Sequence, residues 1–168
     1  MTTTAFDPLR ALRMFVDEGV EFIVIGGLAG RVRGSPTITN DLDVCYRRDR
    51  ENLVRLMRAL QKLQATLRGA PPGIPFQLDP KTFLLGDSFT FETTAGNLDC
   101  LATPSGTAGY ADLLKNAEEI DLGEGLRVWF TALPDLIRMK RAAGRPKDLI
   151  EVEILTAVQE EIASRQRP

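Results

Sequence analysis

The most constraining feature of this chain is the stretch from residue 41 to 46, Asp-Leu-Asp-Val-Cys-Tyr, in which two carboxylates alternate with apolar residues. Such alternation is the period of a strand. It sets Asp41, Asp43 and Cys45 on one face and Leu42, Val44 and Tyr46 on the other. The apolar face anchors the strand to a core, and the other face carries two acids at i and i+2, close enough to share a hard cation such as magnesium. Upstream, residues 20–25 are rich in Val, Ile and Phe and read as a buried strand, ended by Gly26-Gly27 before a short segment, 28–32, with helical character. Glycines at a strand end let backbone approach a phosphate closely, and the helix start that follows offers unpaired N–H groups to an anion. Taken alone, the glycine pair is also an ordinary strand-to-helix turn, and the Asp pair is also what a solvated strand face looks like.

Elsewhere the pattern alternates between helix and strand signals. Asp7-Pro8 starts a helix whose face is Leu9, Leu12, Phe15 and Val16, up to Gly19. Asp49 caps a second helix with a stripe of Leu53, Leu56, Met57, Leu60 and Leu63. Residues 64–80 hold Gly69, Pro71, Pro72, Gly73 and Pro75, which predicts a long irregular loop and a flap over the site. Strands are predicted over 83–94 and 97–103, joined at Ala95-Gly96, with Asn97, Asp99 and Leu101 on one face and Cys100 on the other. A helix over 110–117, a strand over 127–130 and a helix from Leu133 that stops at Gly144 follow. A last helix starts near Pro146, and its tail after Ser164 is expected to fray. Glu92 reads as exposed, and Trp129 as core or near-surface packing.

The 168 residues suit one domain, expected as an N-terminal helix (1–19), a sheet core (20–130) and C-terminal helices (131–168). The apolar runs are far shorter than the roughly 20 residues of a membrane span. Met1-Thr2-Thr3-Thr4 lacks a basic-then-apolar leader pattern, so a cytoplasmic protein with no membrane partner is expected. The chain has no histidine, which excludes Ser-His and Cys-His pairs and most zinc hydrolase sites and leaves chemistry to carboxylates, Lys and Arg. Cys45 and Cys100 have no zinc-ligand spacing and read as buried or idle thiols. A net charge of −2 argues against a broad nucleic-acid footprint, though a local basic patch is compatible with a folded RNA.

Phosphoryl and nucleotidyl transfer call for charge neutralisation and in-line positioning, which shared carboxylates and divalent ions supply. Asp99, flanked by Leu98 and Cys100, repeats the apolar-Asp-apolar pattern on another strand; it is a third ligand and, without histidine, the natural base. Ile25-Gly26-Gly27, thirteen intervening residues, Asp41-Leu42-Asp43-Val44 and later Leu98-Asp99-Cys100 together resemble the polymerase-beta-type nucleotidyltransferase superfamily. The resemblance implies an α+β fold with a mixed sheet, the acidic site on one face and helices on the other. It also implies a nucleotide triphosphate held at Gly26, Gly27 and Thr39, and two magnesium ions on Asp41, Asp43 and Asp99. Thr37 stands where many relatives carry an arginine two residues before that threonine.

Residues 135–149, with Leu136, Lys140, Arg141, Arg145, Lys147 and Asp148, are similar to the AbiEii-type toxin nucleotidyltransferases. That likeness implies Lys140 as a catalytic residue, with Lys140 and Arg145 or Lys147 gripping phosphates and Asp148 orienting a basic partner. These cations are also what a solvated helix C-terminus looks like. The activity implied is magnesium-dependent transfer of a nucleoside monophosphate from an NTP to an acceptor hydroxyl on an RNA, such as a tRNA end, or on a protein. A cognate antitoxin or toxin partner goes with it. The alternative is a module of the same fold that binds nucleotide or partner without turnover. No extra helical domain of the kind with which larger relatives engage an acceptor is expected.

Overall fold

Among the described residues, seven strands form one mixed sheet in the order β3-β4-β5-β2-β1-β7-β6. The computed structural model describes residues 4–71 and 78–168. Its centre is β2 (Asp41–Tyr46), parallel to β5 (Gly96–Leu101) and antiparallel to β1 (Phe22–Ile25). The register sets Asp41 against Asn97 and Asp43 against Asp99 on one side, and Ile25 against Asp43 on the other. All four residues of β1 are buried, and Leu42 and Val44 of β2 are sealed, so the middle of the sheet cannot slip without exposing apolar side chains.

The helices form where caps and apolar spacing coincide. Asp7 caps α1 (Pro8–Asp17) by accepting from Arg10 N at 3.1 Å, and Ala11, Leu12 and Phe15 enter the core. Asp49 caps α3 (Arg50–Lys62) by accepting from Asn52 N at 3.0 Å, with Leu53, Leu56 and Leu60 buried. The short α2 (Gly26–Val32) begins at the glycines themselves and packs on α6 (Leu133–Ala143) and α7 (Pro146–Arg165). That packing is close because Gly30 has no side chain where Leu155 approaches. Among the described residues no helix is long and apolar enough to cross a membrane.

Three expectations need correction. The strand predicted from Phe83 begins only at Ser88, as β4 (Ser88–Thr93), because Asp79-Pro80 starts the helix α4 (Pro80–Leu85), where Asp79 accepts from Thr82 N at 2.8 Å. Phe83 is buried on that helix against Phe89, ring centroids 4.4 Å apart. Within the predicted loop of 64–80, Thr66–Leu67 forms β3, paired antiparallel with β4; Pro72, Gly73 and Pro75 lie outside the described residues, as do Met1, Thr2 and Thr3. Finally, Glu118–Asp121 forms an edge strand, β6, paired with β7 (Arg127–Phe130), and the helix predicted over 110–117 spans only Tyr110–Leu114 as α5. β6 reads Glu-Glu-Ile-Asp and is mostly exposed, so it carries no apolar alternation to announce it. Trp129 of β7 is 39% exposed, and both cysteines are free and buried.

Since the Asp79 cap holds α4 over the aromatic cluster, Asp79→Ala is expected to cost about 1 kcal/mol in chemical denaturation. Asp79→Asn, which keeps an acceptor, is expected to cost less.

Candidate active site

A cleft of about 780 Å³ opens on the Asp-bearing face of β2 and β5 and is walled by the end of β1, the start of α2 and the junction between α6 and α7. It gathers Gly26, Gly27 and Thr39, the acids Asp41, Asp43 and Asp99, and, from the helical wall, Lys140, Arg145, Lys147 and Asp148. These residues are therefore at one place, although they come from segments more than 100 residues apart, while Arg141, singled out with them, does not line the cleft.

The two glycines are required here by close packing. Gly26 has φ +67°, and a Cβ there would lie 2.2 Å from Asp43 Oδ2. A Cβ on Gly27 would lie 2.8 Å from both Cβ and Oγ1 of Thr39. The first turn of α2 thus rests directly on Asp43 and Thr39. Ile25, at the N-cap of α2, provides no side-chain acceptor.

Charge in the acidic floor is under-compensated. Burial, with the nearby Asp99 and Asp41 carboxylates, pushes Asp43 up to about 7, against a smaller opposing pull from Lys140. Hydrogen bonding between the two carboxyls adds to the rise at Asp43 and pulls Asp99 the other way. Asp99 is also raised, by burial, while Arg68 pulls it down. Asp41 Oδ1 accepts from Asn97 Nδ2 at 3.3 Å, and Thr39 Oγ1 donates to the Asp41 carbonyl at 3.0 Å.

On the opposite wall Asp148, buried at the start of α7, accepts from Arg145 Nε at 2.6 Å and from Arg145 N at 3.2 Å. Lys140 Nζ stands 3.6 Å from its other oxygen. The Arg145 hydrogen bond holds the Asp148 carboxyl below the usual range. Lys147 is exposed at the mouth.

Solved structures share this architecture over nearly their whole length. The chain matches the lincosamide antibiotic adenylyltransferase LnuA, in its lincomycin-bound crystal structure, with a TM-score of 0.60 at 12% identity, covering 90% of this chain and 95% of that one. The fold is the nucleotidyltransferase fold. ANT(2'')-Ia in complex with adenylyl-2''-tobramycin matches with a TM-score of 0.54 at 15% identity, over 95% of this chain and 97% of that one. Its solution structure, described as that of an antibiotic-resistance factor, matches with a TM-score of 0.52 at 16% identity, over 94% and 90%. No protein-family model matches the chain, and no curated protein matches it in sequence.

On this nucleotidyltransferase fold, the oxygen donors of Asp41 and Asp43 suit a hard divalent cation, whose charge would relieve the burden that holds a proton on Asp43. Among the described residues no three acidic, cysteine or histidine side chains enclose an ion-sized point. Asp99 accepts instead from Arg68 Nη2 at 2.9 Å. Arg68 is one site feature that sequence reasoning missed: it sits in the Gly/Pro-rich stretch and belongs to no motif. A second is the contact from Thr37 Oγ1 to Glu151 Oε1 at 2.7 Å, at the position where an arginine was expected; both residues line the cleft. The third is Asn97, whose partnership with Asp41 follows from strand register and not from spacing along the chain.

Proposed function

We propose that this protein is a magnesium-dependent nucleotidyltransferase that moves a nucleoside monophosphate from an NTP to an acceptor hydroxyl. The observation that carries this reading is the in-register pairing of Asp43 with Asp99, next to Asp41, facing Lys140, Arg145 and Lys147 across one cleft. Magnesium held by Asp41 and Asp43, with Asp99 completing the set, would neutralise charge on the reacting phosphate. Lys140 and Arg145, both tied to Asp148, oppose the phosphate charge, with Lys147 at the mouth. Gly26, Gly27 and Thr39 seat the triphosphate. The acceptor oxygen bonds to the α-phosphorus, the bond from that phosphorus to the bridging oxygen breaks, and pyrophosphate departs with the electron pair. The acceptor proton passes to Asp99.

The likeness of residues 135–149 to AbiEii-type toxins supports an RNA or protein acceptor, a tRNA end among them, and a cognate antitoxin or toxin partner. A small hydroxylated acceptor is a second reading. It is favoured by the near full-length match to an adenylyltransferase for a lincosamide antibiotic, and by the apolar Ile38, Pro104, Leu136 and Met139 around the cleft. The first test is the thermal shift of wild type and Asp43→Ala with each of the four NTPs, with and without magnesium. A magnesium-dependent shift present in wild type and absent in the variant is expected, followed by transfer of label from the stabilising NTP to tRNA, protein or small hydroxylated compounds. A shift without any transfer supports the non-catalytic binding module, and no shift with any NTP removes the nucleotide site altogether.

A further inference from the structure

Arg68 follows directly on β3 and continues its ladder, its backbone N–H donating to the Thr90 carbonyl at 2.9 Å. Thr90 pairs with Asp99, and Asp99 with Asp43, so Arg68, Thr90, Asp99 and Asp43 form one row across β3, β4, β5 and β2. The arginine side chain crosses β4 to reach β5. Its Nη2 donates to the Phe91 carbonyl at 3.1 Å and to Asp99 Oδ1 at 2.9 Å. Both side chains are largely covered, Arg68 at 29% and Asp99 at 20% exposure. In so sheltered a place an ion pair is weakly screened, and a second cation on Asp99 would meet a like charge held against its Oδ1.

We propose that Arg68 is a positioning residue that acts as a built-in counter-cation for Asp99. The free cleft then takes one divalent ion on Asp41 and Asp43, and Asp99 joins a second ion only once Arg68 is displaced. This rests on the metal-dependent reading above, and it makes the two ions unequal: the first is bound by the protein alone, and the second has to compete with a guanidinium. Nothing along the chain signals the pairing, since Arg68 is the only Lys or Arg between Lys62 and Lys81 and reaches Asp99 only through the register of three strands.

The experiment is titration of the full chain with Mn²⁺ alone, free ion being read by electron paramagnetic resonance, for wild type, Arg68→Met, Arg68→Lys and Asp43→Asn. Wild type is expected to bind one ion, with a second weaker by about tenfold or more. Arg68→Met is expected to tighten the second by about tenfold, and Arg68→Lys, which keeps the charge, to stay near wild type. Arg68→Gln, which keeps an amide donor and loses the charge, gives the same comparison if the Met variant does not fold. A second affinity unchanged or weakened in Arg68→Met and Arg68→Gln, with the first ion still lost in Asp43→Asn, overturns the role of Arg68 alone. Absence of Mn²⁺ binding in wild type, or binding indifferent to Asp43→Asn, overturns the metal-dependent reading and this inference with it.

Discussion

Asp43→Asn is expected to make the ligand-free protein more stable while abolishing its magnesium-dependent response to nucleotide. The carboxyl of Asp43 is raised from an ordinary 3.8 to about 7 by burial and by the Asp99 and Asp41 charges, so the folded state binds its proton more tightly than the unfolded chain does. The stability this proton supplies is fully present below the unfolded value and is lost as pH rises through about 7. Above that, the ionised group sits uncompensated, at a cost bounded by about 4 kcal/mol from the size of the shift. Asparagine is shaped like the protonated acid and has nothing to lose. The variant is therefore expected to exceed wild type by about 2–4 kcal/mol at pH 8 and by under about 1 kcal/mol at pH 4, in urea denaturation followed across that range. A difference that does not grow with pH would show that Asp43 is ionised at little cost in the folded protein.

Gly26→Ala is expected to be the most damaging single methyl group that can be added to this site. A left-handed φ of +67° costs an alanine about 1–2 kcal/mol, and the new Cβ would stand 2.2 Å from Asp43 Oδ2, which forces the carboxylate or the first turn of α2 to move. Together these predict a loss of about 2–4 kcal/mol. Gly125→Ala separates the two causes, because Gly125 has a similar positive φ, at +74°, but has nothing within 4 Å of a built Cβ. Its expected cost is only about 1–2 kcal/mol. Comparable denaturation midpoints for the two variants would mean that the contact with Asp43 yields easily. In that case Gly26 would be fixed by backbone conformation alone.

Much of the fold could be read along the chain wherever a single element carries its own signal. Asp7 and Asp49 cap helices whose apolar stripes are buried, and the alternation of residues 41–46 sets Asp41 and Asp43 on one face. The same reasoning failed at Asp79-Pro80, a cap as good as Asp7-Pro8. There Phe83 reads as one more aromatic strand residue beside Phe89 and Phe91 of β4, and only its burial beneath its own helix shows otherwise. β6 was missed because an exposed edge strand needs no apolar face.

The sequence by itself determined which residues share a face within an element, because side-chain direction follows from the local periods of strand and helix. It also determined where the chain must turn closely, through Gly26 and Gly27. Only the tertiary structure decided that Asp43 lies opposite Asp99, that Asn97 reaches Asp41, that Lys140 of α6 approaches Asp148 of α7, and that Arg68 crosses a strand to Asp99. Strand register and the reach of long charged side chains are properties of packing between elements, and no period along the chain encodes them.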